Sequence, residues 1–327
     1  MRAAWFERFG AARDSLRVGE RETPAPAPGE VRVRVTVSGV NPSDVKKRAG
    51  SFPDLLADGY VIPHSDGAGR IDAVGEGVDP ERTGERVWLY QAQFERRFGT
   101  AAEYVCVPAC RAVPLPDGVD DVTGACLGIP AMTAHRCVYA DGPVEGRVIL
   151  VTGGAGRVGG YAIQWAKQGG ATVVATASDP EGSEDCRRAG ADHVVNHRSE
   201  AFTDEVRAAT AGAKLDRMID VEFGANLPRT LDLIQTGGVI ATYASTRVPE
   251  PRLPFFRMMY LDLTLHFVIV YAMPETAKTA AINDITVALK ENRLVHRIAH
   301  RVPLADIARA HELVEQGGFH GQVVVEI

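Results

Sequence analysis

The fold of this chain is decided by one segment, Val148-Ile149-Leu150-Val151-Thr152-Gly153-Gly154-Ala155-Gly156-Arg157-Val158-Gly159. Its first four residues form a continuous apolar run, which is typical of a parallel strand buried on both faces. A G-x-G-x-x-G pattern follows at Gly154, Gly156 and Gly159, and it opens a helix expected from Val158 to Gln168. Such glycines let the backbone turn tightly and approach a pyrophosphate at the helix N-terminus. The segment therefore predicts a dinucleotide-binding turn.

Strand and helix patterns alternate on the carboxyl side of this turn. Strands are expected at 172–177, 192–195, 215–220 and 239–243, and helices at 183–189, 201–210 and 227–234. This alternation predicts an α/β fold with a doubly wound parallel sheet, the Rossmann arrangement.

The first third of the chain reads as β-structure. Residues Glu30 to Val37 alternate between apolar and polar side chains, the period of a half-buried strand. Short strands at 69–75 and 86–90, separated by turns, predict a small barrel-like β unit. The last sixty residues, with strands at 267–271 and 322–327 and helices at 276–290 and 305–316, are expected to return to this unit. The predicted domains are 1–124 with 268–327, and 125–267.

Composition and charge exclude several classes of protein. The 327 residues carry a net charge of −6, which makes general nucleic-acid binding a poor hypothesis. No apolar run approaches the roughly 20 residues that cross a bilayer, and the start at Met1 lacks an apolar signal core. Five cysteines, an odd number, argue against a disulfide framework. A cytoplasmic protein with no nucleic-acid or membrane partner is expected.

The strand expected at 172–177 bears on the choice of nicotinamide cofactor. An NAD site usually has an acidic residue at the end of this strand, and that place falls at about Ala177. Ser178 can donate to a 2′-phosphate, whereas the charge of Asp179 would repel one. Arg157 and the pair His197-Arg198 are bases that can offset it. The sequence favours NADPH over NADH.

Several ordered motifs carry a resemblance to a known family. They are Gly39 to Asp44, Pro63 to Gly69, Gly84 to Val87, Gly99 to Val105, Leu127 to Ala134, the glycine loop, and Gly190 to Arg198. Nearly end to end, the chain resembles the zinc-independent medium-chain dehydrogenases/reductases, in particular the NADPH:quinone oxidoreductase (ζ-crystallin-like) group. The resemblance implies a partly open, GroES-like β-barrel catalytic domain beside the Rossmann domain, with the active site in the cleft between them. It also implies reduction of a quinone or a related activated carbonyl compound by hydride or single-electron transfer.

The residues decide whether the zinc site of related alcohol dehydrogenases is kept. Those enzymes need a cysteine near the end of the early strand and a Gly-His-Glu segment. No cysteine lies between Ser38 and Asp44, Ser65-Asp66 occupies the His-Glu places, and His64 falls one position early. One histidine without a thiolate partner makes a poor zinc site, so no metal is expected. Without a Lewis acid, an acceptor that is already electrophilic is favoured.

The resemblance also implies roles for individual residues. Asn41 and Lys46 would lie near the nicotinamide ribose and acceptor, with Asn41, Asp44 and Lys46 as catalytic candidates. The cofactor-binding candidates are Asn41, Lys46, Thr133, Gly156, Arg157, Val158, Gly159, Ser178, His197, Ser245, Val268, Ile269 and Val270. Three departures from the family stand out: Lys46 where tyrosine is common, Arg157 where glycine is common, and Asn226, which is expected to be shifted out of reach of the cofactor.

Other interpretations stay open at this point. Asn41 can simply cap a turn before Pro42, and His197 can be an exposed loop histidine. The acceptor can instead be an alkenal, an enone or an enoyl thioester. A non-catalytic NADPH-binding protein and a zinc alcohol dehydrogenase are further alternatives. An apolar strand expected at 267–271 on a sheet edge suggests a homodimer through twofold pairing.

Overall fold

The computed structural model describes residues Met1–Ile327, which divide into two units. The β-rich unit contains Met1–Ile129 and Ile282–Ile327, and the central unit contains Pro130–Ala281. The chain passes from one unit to the other within two helices, α4 and α10, whose bounds are given below.

The strands are β1 (Arg2–Phe6), β2 (Leu16–Glu20), β3 (Glu30–Val40), β4 (Asp66–Val74), β5 (Arg86–Leu89), β6 (Tyr104–Pro108), β7 (Ala112–Pro114), β8 (Val148–Val151), β9 (Thr172–Ala177), β10 (His193–Asn196), β11 (Leu215–Asp220), β12 (Ile234–Thr242), β13 (Thr264–Phe267), β14 (Ile298–Pro303) and β15 (Gln322–Glu326). The helices are α1 (Ala12–Ser15), α2 (Pro42–Ala49), α3 (Asp121–Gly124), α4 (Gly128–Tyr139), α5 (Arg157–Gln168), α6 (Pro180–Arg188), α7 (Phe202–Ala209), α8 (Phe223–Leu233), α9 (Phe255–Tyr260), α10 (Glu275–Lys290) and α11 (Ile307–Gln316).

The central unit is built on a six-stranded sheet in the order β10-β9-β8-β11-β12-β13. All neighbouring strands are parallel, and they are connected through helices α5 to α9. The run Ile149 to Val151 is fully buried, as a strand covered on both faces requires. The predicted doubly wound Rossmann sheet is confirmed.

The β-rich unit holds a seven-stranded sheet in the order β14-β15-β3-β4-β5-β7, with β6 pairing β3. Strand β15 pairs antiparallel with β3, so that Val323 lies opposite Val40. The tail of the chain therefore joins the β-structure of the first third. Valines of β3, β5 and β6 form one of its cores, which explains the alternation seen in the sequence.

The strand predicted at 267–271 is wrong in its bounds. Strand β13 ends at Phe267, and Val270–Ala272 forms a short 3-10 helix. Its partner β12 ends at Thr242, whose carbonyl oxygen accepts the last bond from the Val268 N–H, so nothing remains for the chain to pair with. Residues 268–281 also belong to the central unit, where the sequence had assigned them to the other domain.

The sequence argues against a disulfide framework and against a membrane-spanning segment. None of the five cysteines forms a disulfide. No helix combines the length and the apolar character needed to span a membrane.

Candidate functional site

The glycine loop connects β8 to α5, with Gly156 as the N-cap of the helix. Gly153 has a φ of +62°, and the Gly156 N–H donates to its carbonyl oxygen at 2.9 Å. A Cβ atom at Gly159 would lie 2.1 Å from the same oxygen. The loop therefore folds onto its own backbone, and only glycine fits at position 159. The N-terminus of α5 has no side-chain cap, and such a helix end stabilises an anion.

A cavity of about 220 Å³ opens beside this loop, at the carboxyl ends of the parallel strands. It is lined by Leu150, Thr152, Gly153, Thr176, His197, Phe202, Met218, Val221, Glu222, Asn226, Arg229, Thr230, Leu233 and Arg247. Ligands of open α/β sheets bind in the crevice at this edge of the sheet. The cavity is the natural place for the adenosine half of a dinucleotide.

Basic side chains converge on the rim of this cavity. Arg229 of α8 donates through Nη1 to the carbonyl oxygen of His197 at 3.1 Å. Partial desolvation lowers the pKa of His197, and so do the nearby positive charges of Arg198, Arg229 and Arg247. Glu222 fixes the segment that carries Arg247, since its Oε1 accepts from the Arg247 backbone N–H at 2.7 Å.

Ser178 and Asp179 follow β9, where the sequence locates the cofactor ribose. The Asp179 carboxylate caps α6, and its Oδ1 accepts from the Gly182 N–H at 2.8 Å. Ser178 is half-buried and its hydroxyl lies 3.5 Å from Oδ2 of Asp179. The carboxylate of Asp179, whose charge would repel a 2′-phosphate, thus caps the N-terminus of α6.

A second cavity in the central unit, of about 400 Å³, lies beyond the ends of β12 and β13. Ser245, Val268 and Ile269 are among the residues that line it. The Ser245 hydroxyl donates to the Val248 carbonyl oxygen at 2.5 Å and accepts from the Gly224 N–H at 2.9 Å. Val270 is buried in the short 3-10 helix that follows and is not among the residues that line this cavity.

Asn226 has a defined place in the first cavity. Its Nδ2 donates to Oδ1 of Asp220 at 2.7 Å, and the same oxygen accepts from the Thr152 hydroxyl at 2.8 Å. The residue thus lines this cavity, and its amide is held by the last residue of β11.

Asn41 in the β-rich unit is buried and held from two sides. It forms a capping box with Asp44 at the start of α2, so that its backbone N–H donates to Oδ2 of Asp44 at 2.8 Å. Its Nδ2 donates to Oδ2 of Asp66 at 2.8 Å. The turn-capping interpretation therefore describes its local role, and a cofactor contact stays a prediction.

Asp66 is the centre of this polar group. Its Oδ2 accepts a second bond from the Ile129 N–H, at the start of α4, at 2.8 Å. Its Oδ1 has no partner and occupies the space beside Gly128, where a Cβ atom would be 2.1 Å away. Burial raises the pKa of Asp66 to about 8, and that of Asp44 to about 6.

The two lysines of α2 differ in their surroundings. Lys46, the catalytic candidate, is exposed, whereas Lys47 is buried and donates to the Gln93 side-chain oxygen at 2.8 Å. Burial lowers the pKa of Lys47, while Asp44 and Asp66 act in the opposite direction. Two buried carboxyl groups thus share one ammonium group, so charge balance is reached when one of them keeps its proton.

His64 lies at the centre of a chain of hydrogen bonds whose direction can be worked out. The Thr100 hydroxyl donates to the Asp66 carbonyl oxygen at 2.6 Å, so it accepts from Ser38 at 2.7 Å. Ser38 in turn accepts from Nδ1–H of His64 at 2.8 Å. Neutral His64 then accepts through Nε2 from Nε2–H of His311 at 2.9 Å. Burial lowers the pKa of His64 to about 3, so the neutral form is the stable one.

The residues of this region do not fit a zinc ion. His64 uses both ring nitrogens in hydrogen bonds, and the places of the other ligands hold Asn41 and Ser65. No three His, Cys, Asp or Glu side chains of the structure are grouped as metal ligands. An amide and a hydroxyl are weak ligands for zinc compared with thiolate and imidazole.

Comparison with known proteins identifies the family. Residues 27–117 match the alcohol dehydrogenase GroES-like domain, and residues 158–286 match the zinc-binding dehydrogenase family. The 2-haloacrylate reductase of Burkholderia sp. is 31% identical over 69% of this chain and 68% of its own length. The quinone oxidoreductase of Rattus norvegicus is 28% identical over 99% of this chain and 97% of its own. The chain belongs to the quinone oxidoreductase family of medium-chain dehydrogenases/reductases.

A solved structure extends the likeness to the whole fold of this oxidoreductase. A mycobacterial protein solved in complex with NADPH is 27% identical, has a TM-score of 0.88, and matches over the full length of both chains. The resemblance drawn from the motifs and the GroES-like character of the β-rich unit are therefore confirmed.

Sequence reasoning missed several residues of the two regions. Asp66, Lys47 and His311 bind partners far away in the chain, and Arg229 and Arg247 come from separate elements. Only Asp66 carried a signal, as part of the Pro63 to Gly69 motif. Thr133, expected near the cofactor, is buried on α4.

Proposed function

We propose that this protein reduces quinones or related activated carbonyl compounds with NADPH, without zinc. The observation that carries the proposal is the glycine loop before α5, whose Gly153 lines a cavity rimmed by His197, Arg229 and Arg247. A dinucleotide with an additional phosphate matches that arrangement in shape and charge. The NADPH bound to the mycobacterial relative supports the same choice of cofactor.

NADPH fits the residues present, because the glycine loop folds tightly onto the Gly153 backbone and α5 begins without a side-chain cap, which suits a pyrophosphate at the helix N-terminus. When bound, it supplies the hydride. Gly156, Arg157, Val158 and Gly159 would hold the pyrophosphate, and Ser245, Val268 and Ile269 would border the nicotinamide. Asn41, Thr133 and Val270 are proposed cofactor neighbours on the family resemblance alone.

The catalytic assignments rest on exposure and burial. Lys46 is exposed, so its ammonium group is accessible to a substrate and can donate a proton to it. Asp44 is fully buried and caps its own helix, which favours a structural role for it over that of a proton donor. Asn41 and Ser65 are weak zinc ligands, and both ring nitrogens of His64 are used in hydrogen bonds, which supports a reaction without zinc. In such a reaction, the rate comes from positioning the nicotinamide against an electrophilic acceptor.

The test is loss of the absorbance of NADPH in the presence of a quinone, with matched reactions that lack the quinone or the protein. The proposal expects turnover with the quinone, and the same rate after dialysis against a strong chelator. A rate that falls on chelation and returns with zinc would overturn the zinc-free part. Binding of NADPH without turnover of any acceptor would favour a non-catalytic NADPH-binding protein.

A second candidate function is reduction of an activated carbon–carbon double bond. It is favoured by the likeness to a 2-haloacrylate reductase, whose substrate is named as a haloacrylate. An enone and a 2-haloacrylate in the same assay separate the two. Turnover of either without turnover of quinones would make this the function.

We infer in addition that the protein forms a homodimer through the edge of the central sheet. Strand β13 is the last strand of that sheet, and Phe267 and Ile269 beside it are exposed, together with Phe255, Phe256 and Tyr260 of α9. Apolar side chains along an unpaired edge suit pairing with a second copy. Light scattering after size exclusion should give twice the chain mass, and Phe267→Lys should give the monomer. A wild-type monomer would exclude the dimer.

A further inference from the structure

The cations beside the first cavity have no carboxylate partner. Arg198, Arg229 and Arg247 are all exposed, and none forms a salt bridge in the structure, although the chain has more acidic than basic residues. They come from three elements: the segment after β10, helix α8 and the segment after β12. Like charges gathered in this way repel each other, so the arrangement is stabilised when an anion binds.

Arg229 and the segment that carries Arg247 are held in place by hydrogen bonds to neighbouring residues. Arg229 is held by its bond to the His197 carbonyl oxygen, and its guanidinium lies 5.6 Å from the centre of the Phe202 ring. Both oxygens of Glu222 bind backbone N–H groups, of Thr246 at 3.1 Å and of Arg247 at 2.7 Å. The one carboxylate that lines the cavity beside these cations is therefore engaged in holding the segment that presents Arg247.

The end of β9 is a poorer site for a phosphate than the rim of the cavity. Asp179 carries a negative charge there, and its carboxylate is used to cap α6. Neither Ser178 nor Asp179 lines the cavity, whereas His197, Arg229 and Arg247 do. A phosphate on the adenosine ribose would find its counter-charges at the far rim of the cavity and not at the strand end.

From this we infer that Arg247 and Arg229, supported by Arg198 and His197, bind the 2′-phosphate of NADPH and set the preference for NADPH over NADH. The inference rests on the proposed function and adds to it the residues that select the cofactor. Guanidinium groups suit this role because they bind phosphate oxygens through paired N–H donors. Ser178 is then a secondary contact at most, and Arg157 serves the pyrophosphate.

The test uses two nucleotide fragments that differ in the phosphate of interest. Binding of 2′,5′-ADP and of 5′-AMP is measured by calorimetry on wild type, Arg247→Ala, Arg229→Ala and the control Arg252→Ala. Arg252 is exposed in the same segment as Arg247 and does not line the cavity. Wild type and the control should bind 2′,5′-ADP more tightly than 5′-AMP. Each cavity variant should lose about ten- to a hundredfold in affinity for 2′,5′-ADP, with 5′-AMP unchanged.

Three results would overturn the inference. Equal losses for both fragments in the cavity variants would show that the arginines serve the adenosine and not its phosphate. Unchanged binding of 2′,5′-ADP would exclude them altogether. Wild-type protein that binds NADH as tightly as NADPH would remove the preference while leaving reductase activity intact. If wild type binds neither fragment nor NADPH, the proposed function itself fails.

Discussion

The two units of this protein both contain dense groups of polar side chains, but they arrange them in opposite ways. In the central unit, Arg229 and Arg247 line a cavity beside the glycine loop and form no salt bridge. In the β-rich unit, Asn41, Asp66, His64 and His311 face one another and are buried. Basic side chains that line a cavity indicate a ligand, whereas buried side chains that bind one another stabilise the fold.

The β-rich unit contains a hydrogen-bonded chain from Asp66 to His311 and the buried ammonium group of Lys47. Changes in the central unit should therefore affect cofactor binding first, and changes in the β-rich unit should affect stability first.

The largest effect is expected for Gly159→Ala. The new Cβ would lie 2.1 Å from the Gly153 carbonyl oxygen, so the loop must open. The affinity for NADPH should therefore fall by more than about tenfold. Gly212→Ala is the control, because its Cβ would meet nothing within 4 Å, and its cost is confined to backbone strain. Calorimetry with NADPH measures the affinity, and circular dichroism confirms folding. A folded Gly159→Ala that binds NADPH like wild type would refute the loop assignment.

The second prediction moves the same substitution to the other unit. Gly128→Ala would place a Cβ 2.1 Å from Oδ1 of Asp66, and overpacking of this kind costs about 1–3 kcal/mol of unfolding free energy. Urea denaturation measures the loss. Combining it with Asp66→Ser, which clears the space, should make the glycine substitution less costly. If Gly128→Ala lowers the unfolding free energy equally in wild type and in Asp66→Ser, the Asp66 side chain is not the reason for glycine at position 128.

The third prediction uses the raised pKa of Asp66. Burial moves this pKa from 3.8 to about 8, so the folded state keeps a proton that the unfolded state has released. Its contribution to stability is present below pH 3.8 and is lost as the pH rises toward 8. Asp66→Asn imitates the neutral carboxyl group at every pH. Relative to wild type, the variant should therefore become more stable across this range in urea denaturation. A difference that stays constant with pH would contradict the assignment.

The smallest effect is expected on the acid side. Burial lowers the pKa of His64 from 6.5 to about 3 and that of His311 also falls, so their contribution is present above pH 6.5 and is lost as the pH falls. Gln at position 311 can still donate to His64 but does not titrate. His311→Gln should therefore lose less stability than wild type on acidification, while His193→Gln, at an exposed position of β10, should follow wild type. Identical acid curves for all three proteins would rule out this source of acid sensitivity.

The sequence predicts the central fold well because that fold depends on local patterns. The strand predicted at Leu215–Asp220 has the bounds of β11, and the glycine loop opens α5 as expected. The strand at 267–271 was wrong because its length depends on where the neighbouring strand β12 ends, which no local pattern reports.

The candidate site could be predicted only where a motif was continuous. Gly156 and Gly159 follow from their spacing, but the partners of Asn41 do not. His64 and His311 stand 247 positions apart in the chain, and Arg229 and Arg247 meet His197 from different elements. Burial also separated Lys46 from Lys47, two adjacent lysines that the sequence cannot distinguish without the exact phase of a short helix.

The central claim is that this chain transfers hydride from NADPH to an electrophilic acceptor. The most direct test follows the absorbance of the reduced nicotinamide with a quinone, with an enone and with no acceptor, and repeats each reaction with NADH. We expect a loss of NADPH signal that requires the quinone, with a slower loss from NADH. A protein that binds NADPH but consumes none with either acceptor, or that consumes NADH as readily, would contradict hydride transfer from NADPH as its activity.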